Sequence, residues 1–186
     1  MKAQIESRPA KAIPLRLRPT ERALLSKAKF RDMITAMSTR FINLAPEDID
    51  KEIEAAIGKI ARLAGVDRGY VFLQRNSRLD NTHEWCAPAV PHRKHDLQGL
   101  PVQSLPWLMG RLQRFESIYL PRINDLPRKA DAEKKIWNAL GIRSLVIVPL
   151  ACHNSLIGFL GLDSVRTEKC WSEDAISLLR TTGDLF

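Results

Sequence analysis

The sequence predicts an α+β fold built on one antiparallel sheet. Three observations carry that expectation. Two amphipathic helical stripes precede the first strand, and short β-patterned runs follow at 68–74 and 82–86. Two strongly apolar runs, 144–150 and 156–165, then flank a short polar connection ahead of a last helix.

Taken in order, residues 1–19 hold Pro9, Pro14 and Pro19 among scattered charges and read as a basic leader or linker, with the domain at 20–186. Thr20 is a candidate N-cap, and Phe30, Ile34, Met37 and Phe41 recur at helical spacing to about Asn43. Pro46 suits a first helical turn, and Glu47, Asp48 and Asp50 sit near the positive end of the helix dipole. Ile49, Ile53, Ile57 and Ile60 form one stripe, which Gly65 ends. From Arg68 to Gln74 the pattern sets Tyr70 and Phe72 against Val71 and Leu73; Asn76-Ser77-Arg78 makes a turn into a second strand, Thr82 to Cys86.

Periodicity is then lost from Ala87 to Gly110, across Pro88, Pro91, Pro101 and Pro106, and an irregular connection of that length points to function. A short helix around Trp107 to Arg114 and a strand at Ser117 to Leu120 follow. Asp125-Leu126-Pro127 opens another helix, closed by Gly141. Ser144 to Leu150 and Leu156 to Val165 form a hairpin. Ser172 caps the last helix, with Trp171 and Ile176 placed as a hydrophobic staple. Ile176, Leu179, Gly183 and Phe186 carry that helix to the last residue without a C-cap, the pattern of a piece cut from a longer protein.

Composition narrows the function classes. The chain is 45% hydrophobic, too apolar for a disordered protein. Its longest uninterrupted apolar run, Leu145 to Cys152, falls far short of the ~20 residues of a membrane span. Of the net charge of +8, residues 1–40 supply +7, so the globular part is near neutral and no basic face is available to nucleic acid. Cys86, Cys152 and Cys170 are odd in number and widely spaced, which suits free thiols in a reducing, cytoplasmic compartment.

Candidate chemistry is sparse. His83, Glu84, Cys86, His92, His95 and Asp96 cluster, but His83 and Cys86 point to opposite faces of a strand and Arg93 and Lys94 oppose a divalent ion, so no metal site is expected. Cys152-His153 sits on a hairpin tip, where neighbouring side chains turn apart, and no nucleophile motif is present. Gly158 and Gly161 suit close backbone approach or a bulge. Trp85, Trp107 and Trp137 either fill a small core or line a concavity.

Read together, Asp67-Arg68-Gly69-Tyr70-Val71-Phe72, Glu84-Trp85-Cys86 and Leu100-Pro101 with Pro106-Trp107 resemble the GAF domains of bacterial signalling proteins. So do Asp125-Leu126-Pro127, Gly141-Ile142-Arg143-Ser144-Leu145 with Val148-Pro149-Leu150, and Ile157 to Val165 followed by Trp171-Ser172-Glu173-Asp174. The resemblance runs from about Phe30 to the end. It implies a GAF-like (PAS-like) sheet of five to six strands, with helices on one face and a loop- and helix-covered pocket on the other. It also implies a non-catalytic sensory or regulatory domain of a sensor kinase or cyclic-di-nucleotide enzyme, with a small-molecule ligand, no cofactor, and a homodimer through the terminal helices. The pocket residues it implies are Phe72, Glu84, Trp85, Trp107, Ile118, Leu126, Ala130 and Ser144, with Arg143 or Arg68 pairing an anionic group.

Departures from the family pattern shape the reading. The Asn-Lys pair of the cyclic-nucleotide subgroup is absent, Cys152-His153 lies off the pocket side where bilin-binding relatives place their cysteine, and Gly141 to Ser144 lacks the cysteines of the methionine sulfoxide reductases. Two alternatives stand beside the sensor: a dimerisation module without ligand, and a thiol redox enzyme using Cys86.

Overall fold

The structure, a computed structural model, describes the backbone of residues 19–184. Residues 1–18 of the leader reading, and Phe186, lie outside the described residues, as does the side chain of Phe30; Pro19, read as the end of the leader, and Thr20, read as the cap, already belong to the first helix.

Two helices open the fold, α1 (Pro19–Ile42) and α2 (Ile49–Ala64), joined through a 3-10 turn at Pro46–Asp48. On α2, Ile53, Ala56, Ile57, Ile60 and Ala61 form the buried stripe that the isoleucine spacing predicts. Gly65 closes the helix in the left-handed conformation (φ 63°), where a residue lacking Cβ carries no steric penalty. Strands β1 (Arg68–Arg75) and β2 (Arg78–Cys86) then pair as a hairpin, β2 beginning four residues earlier than its side-chain pattern suggests because Asn76, at φ 55°, makes the turn tight.

The irregular stretch holds a two-residue strand, β3 (Leu100–Pro101), a 3-10 turn and helix α3 (Pro106–Leu112). It leads into β4 (Ile118–Leu120) and, after two further 3-10 turns, α4 (Asp131–Ala139). The hairpin β5 (Ser144–Cys152) and β6 (Ser155–Ser164) follows. Last comes α5 (Glu173–Gly183), whose N-cap Ser172 accepts from the Ala175 amide at 3.2 Å.

All six strands form one antiparallel sheet in the order β3-β2-β1-β6-β5-β4. Its two faces carry two separate cores. Against one face, α1, α2 and α5 bury Met37, Ile57, Leu179 and Trp171 over Val71, Val146, Val148, Leu160 and Leu162. Against the other, α3, α4 and the irregular segment bury Leu105, Leu108, Leu112 and Trp137 over Tyr70, Phe72, Leu145, Ile147 and Phe159. Two short-range facts tighten the centre of the sheet. A Cβ on Gly158 would stand 2.0 Å from the Phe72 carbonyl oxygen, and one on Gly161 would stand 2.3 Å from the Tyr70 ring. Both glycines therefore serve close approach, as their place in an apolar strand predicts.

The long segment thus roofs the sheet face opposite the leading helices. No helix among the described residues is long and apolar enough to cross a membrane.

Candidate functional site

Strand pleating decides what faces the roof. Side chains alternate along a strand, and β1 and β6 pair directly, so Arg68, Tyr70 and Phe72 share a face with Phe159 and Asp163. Beneath Leu97, Leu100, Leu105 and Leu108 of the roof and Trp137 of α4, these side chains leave a hollow. About 50 Å³ of it is open to the centre of a water-sized sphere. That is room for a few waters or a compact small molecule.

The floor carries one buried ion pair. Arg68 donates through Nε and Nη2 to the two Asp163 oxygens at 3.0 and 3.1 Å, and through Nη2 to the Leu140 carbonyl at 3.3 Å, with both side chains almost wholly buried. Burial pushes the Asp163 carboxyl up to about 6, against the pull of the guanidinium, so the pair is ionic at neutral pH. Beside it, Asp67 accepts from the amides of Val165 and Arg166 and from the Ser164 hydroxyl, all within 3.0 Å. Burial raises that carboxyl, but these donors and the Arg166 charge outweigh it, and Asp67 lies below its ordinary value. Asp67 thereby fixes the chain where it leaves β6.

Three other polar groups edge the hollow. The Tyr70 phenol lines the hollow and is held well above its ordinary value, first by burial and then by Asp163. Arg93 reaches in from the roof with a buried Nε that has no hydrogen-bond partner among the described residues, while its Nη1 pairs with Asp96 at 3.2 Å. Asn81, in the amide orientation its surroundings satisfy, donates to the carbonyls of His83 (2.9 Å) and Val71 (3.2 Å).

Glu84 holds the roof to the sheet. Its side chain is 2% exposed and accepts from the Arg93 amide at 2.9 Å and the Lys94 amide at 3.2 Å, with His92 Nδ1 at 3.1 Å. Along the β2 edge itself, β3 pairs only at Arg78 and Leu79, and the Asn81 amide then donates to the Leu97 carbonyl at 3.0 Å. From the same turn Lys94 reaches Glu54 of α2 at 3.0 Å, so the roof touches both layers. Cys86, two residues on, is half-buried. Burial and then the Glu84 charge push its thiol up to about 12, leaving a thiolate fraction on the order of 10⁻⁵ at pH 7, which opposes redox catalysis by Cys86.

Of the residues implied for the pocket, Phe72, Glu84 and Arg68 line the hollow. Trp107, Ile118, Leu126 and Ala130 belong to the same core but pack behind the lining. Trp85 is corrected outright. Adjacent strand residues cannot face one way, and with Glu84 toward the roof the indole turns to α2, against Gly58 and under the Arg62 guanidinium at 5.3 Å. Ser144 also sits on the helix face, in register with Val146, and its hydroxyl accepts from the Lys169 amide at 3.0 Å. Arg143 is exposed in a shallow surface depression with Asn124 and Glu168. Tyr70, Asn81, Arg93 and Asp163 were missed. The alternation that selected Phe72 extends to Tyr70, but nothing local announces the other three.

Two further expectations meet the geometry. His83 does face away from Cys86, with Nε2 3.2 Å from Asp50 of α2. His92, however, folds back so that its ring nitrogen, the Cys86 sulfur and a Glu84 oxygen lie within 4.8 Å of one another, which spacing along the chain did not reveal. Cys152 and His153 do not turn apart: Sγ and Nδ1 are 3.1 Å from each other on the exposed hairpin tip, where His153 (φ 48°) and Asn154 (φ 61°) are left-handed.

Comparison with known proteins agrees with this architecture. The chain is 28% identical over 144 residues to the methanogenesis regulatory histidine kinase FilI of Methanothrix harundinacea, which covers 72% of the chain and 15% of that protein. It is 34% identical over 96 residues, 51% of the chain and 8% of the relative, to a putative type I restriction enzyme MjaVIIP endonuclease subunit of Methanocaldococcus jannaschii. The chain therefore spans less than a sixth of either curated relative's length. Among solved structures, the phycocyanobilin-bound GAF domain of a cyanobacterial phytochrome superposes with a TM-score of 0.68 at 17% identity, over 84% of this chain and 90% of that one. The blue-light-absorbing form of the Thermosynechococcus elongatus PixJ GAF domain gives 0.57 at 18% identity, over 70% and 79%. The family model for the GAF domain matches residues 48–186, from the turn before α2 to the last residue, and the chain belongs to the GAF domain family.

Proposed function

We propose that this domain senses a compact small molecule bearing a hydrogen-bond acceptor, held between Tyr70, Arg93 and the apolar roof, within a longer signalling protein of the histidine kinase kind. GAF domains are generally non-catalytic regulatory modules. The observation that carries the reading is a hollow walled by leucines and aromatics, the Tyr70 phenol among them, with one buried donor, Arg93 Nε, that lacks a partner among the described residues. A buried donor without an acceptor costs about 1–3 kcal/mol, which a ligand acceptor would recover.

A bilin of the kind held by the solved neighbour does not fit these residues. The hollow has about 50 Å³ of room, and none of Cys86, Cys152 or Cys170 lines it. The route for a signal runs through the roof: Glu84 fixes the 92–94 turn, Lys94 ties that turn to Glu54, and α2 packs in one core with α1 and α5. Occupancy that displaces Arg93 biases those helices. Three free cysteines support a cytoplasmic setting.

A thermal-shift screen of small carboxylates and carbonyl metabolites tests the proposal. A binder at 100 times its Kd adds about 2.7 kcal/mol, and Tyr70→Phe or Arg93→Met removes the gain. Stabilisation that both variants retain would refute the site. The smallness of the hollow, with Ile42 on α1 81% exposed, supports the second reading of a homodimerising module. Sedimentation of a dimer that Ile42→Lys disrupts, with no ligand response, would establish it.

A further inference from the structure

We propose that Glu84, Cys86 and His92 form a transition-metal site of the carboxylate–thiolate–imidazole type, suited to Zn²⁺, where the roof leaves β2. The donors come from one strand end and from the loop that returns to it, and all three ligand atoms lie within 4.8 Å of one another. With Zn–S about 2.3 Å and Zn–N or Zn–O about 2.0–2.1 Å, neighbouring donors on a tetrahedral ion stand roughly 3.3–3.6 Å apart. The edge between His92 Nδ1 and Glu84 Oε2 is already at 3.1 Å. The remaining contraction, at most about 1.2–1.5 Å from the 4.8 Å limit, is within the reach of side-chain rotation.

The surroundings suit an ion. The Arg93 and Lys94 amides fix the plane of the Glu84 carboxylate, as outer partners of metal ligands do. Nearby cations are engaged elsewhere: Arg93 with Asp96, Lys94 with Glu54, Arg68 with Asp163. The electrostatic opposition of the His92-Arg93-Lys94-His95 run is thereby reduced, since Arg93 and Lys94 each face a carboxylate of their own. One carboxylate and one thiolate balance the charge of a divalent ion, and the mix of sulfur, nitrogen and oxygen donors favours zinc or cobalt over magnesium or calcium. On binding, the Cys86 sulfur–hydrogen bond breaks, its proton goes to solvent, and the electron pair forms the bond to the metal; nothing is oxidised or reduced. Three protein ligands leave a fourth position for water or an added molecule. Such an ion cross-links β2 to the roof at Glu84, a residue that also lines the hollow, so metal occupancy and pocket mobility are coupled.

The test uses the full chain carrying Cys152→Ser and Cys170→Ser, which removes the two exposed thiols, washed with chelator and titrated with Co²⁺. The expected result is a near-ultraviolet thiolate-to-cobalt charge-transfer band that saturates at one ion per chain and is displaced by Zn²⁺. His92→Ala, at a side chain 66% exposed, lowers Co²⁺ affinity at least tenfold, while His153→Ala on the exposed hairpin tip leaves the titration unchanged. No band, or an identical titration for His92→Ala, overturns the proposal.

Discussion

Replacing Arg68 with methionine tests how the floor of the hollow is held. The substitution leaves the Asp163 carboxylate, 1% exposed, without the guanidinium that meets both its oxygens. Removing one partner of a buried pair costs about 3–5 kcal/mol. At about 2–4 °C per kcal/mol for a chain of this size, Tm should fall by roughly 6–20 °C. The pH dependence is the sharper signature. Asp163 titrates at about 6 in the folded wild type against 3.8 in an unfolded chain. A folded value above the unfolded one gives stability that is complete below 3.8 and lost as pH rises through the folded value. For the wild type that loss ends near pH 6; without Arg68 the carboxyl shifts further up, and the loss continues above pH 6 at about 1.4 kcal/mol per pH unit. Urea unfolding of both proteins from pH 5 to pH 8 reads the difference. The deficit should be largest at pH 8 and narrow on acidification, and Arg68→Met/Asp163→Leu should recover most of it. A deficit below 1 kcal/mol at pH 8, or one independent of pH, refutes the reasoning.

Three other outcomes follow from the geometry. Gly161→Ala places a Cβ 2.3 Å from the Tyr70 ring, so it should cost about 1–3 kcal/mol in urea unfolding and abolish any ligand response by driving the phenol into the hollow. Glu84→Gln weakens the charged acceptor shared by the Arg93 and Lys94 amides; hydrogen exchange across 87–97 should quicken at least tenfold while α2 keeps its protection. In metal-free protein, iodoacetamide should label Cys152 and Cys170 well before Cys86, whose thiol is pushed up to about 12, and mass spectrometry of peptides taken at intervals gives the order.

Much of the fold was legible because local signals and tertiary packing agree. The isoleucine stripe of α2, Gly65 as its stop, Ser172 as a cap and the apolar β5–β6 hairpin each follow from periodicity or backbone chemistry. The site was less legible, for two physical reasons. One is parity: β2 carries a register shift opposite Val71 and Phe72, with Thr82 as the extra residue, so the face that each β2 side chain occupies changes along the strand. Glu84 and Trp85 divide between faces by ordinary alternation, whereas the shift makes Asn81 join the hollow where an unbroken alternation would send it to the helices. The other is distance along the chain. Arg68 meets Asp163 across 95 residues only because β1 and β6 align Arg68 with Asp163, and Arg93 and His92 arrive on a loop with no period of its own. Outside the site, Cys152 and His153 show the same limit, since two consecutive left-handed residues bring together side chains that an extended strand separates.

Amide spectra of isotope-labelled protein, recorded with and without the best stabilising compound of the small-molecule screen, probe the roofed hollow most directly. Shifts should concentrate at residues 68–72, 84, 93 and 163 and vanish in Tyr70→Phe. Shifts confined to the outer surfaces of α1 and α5, with those floor and roof amides unmoved, would contradict it.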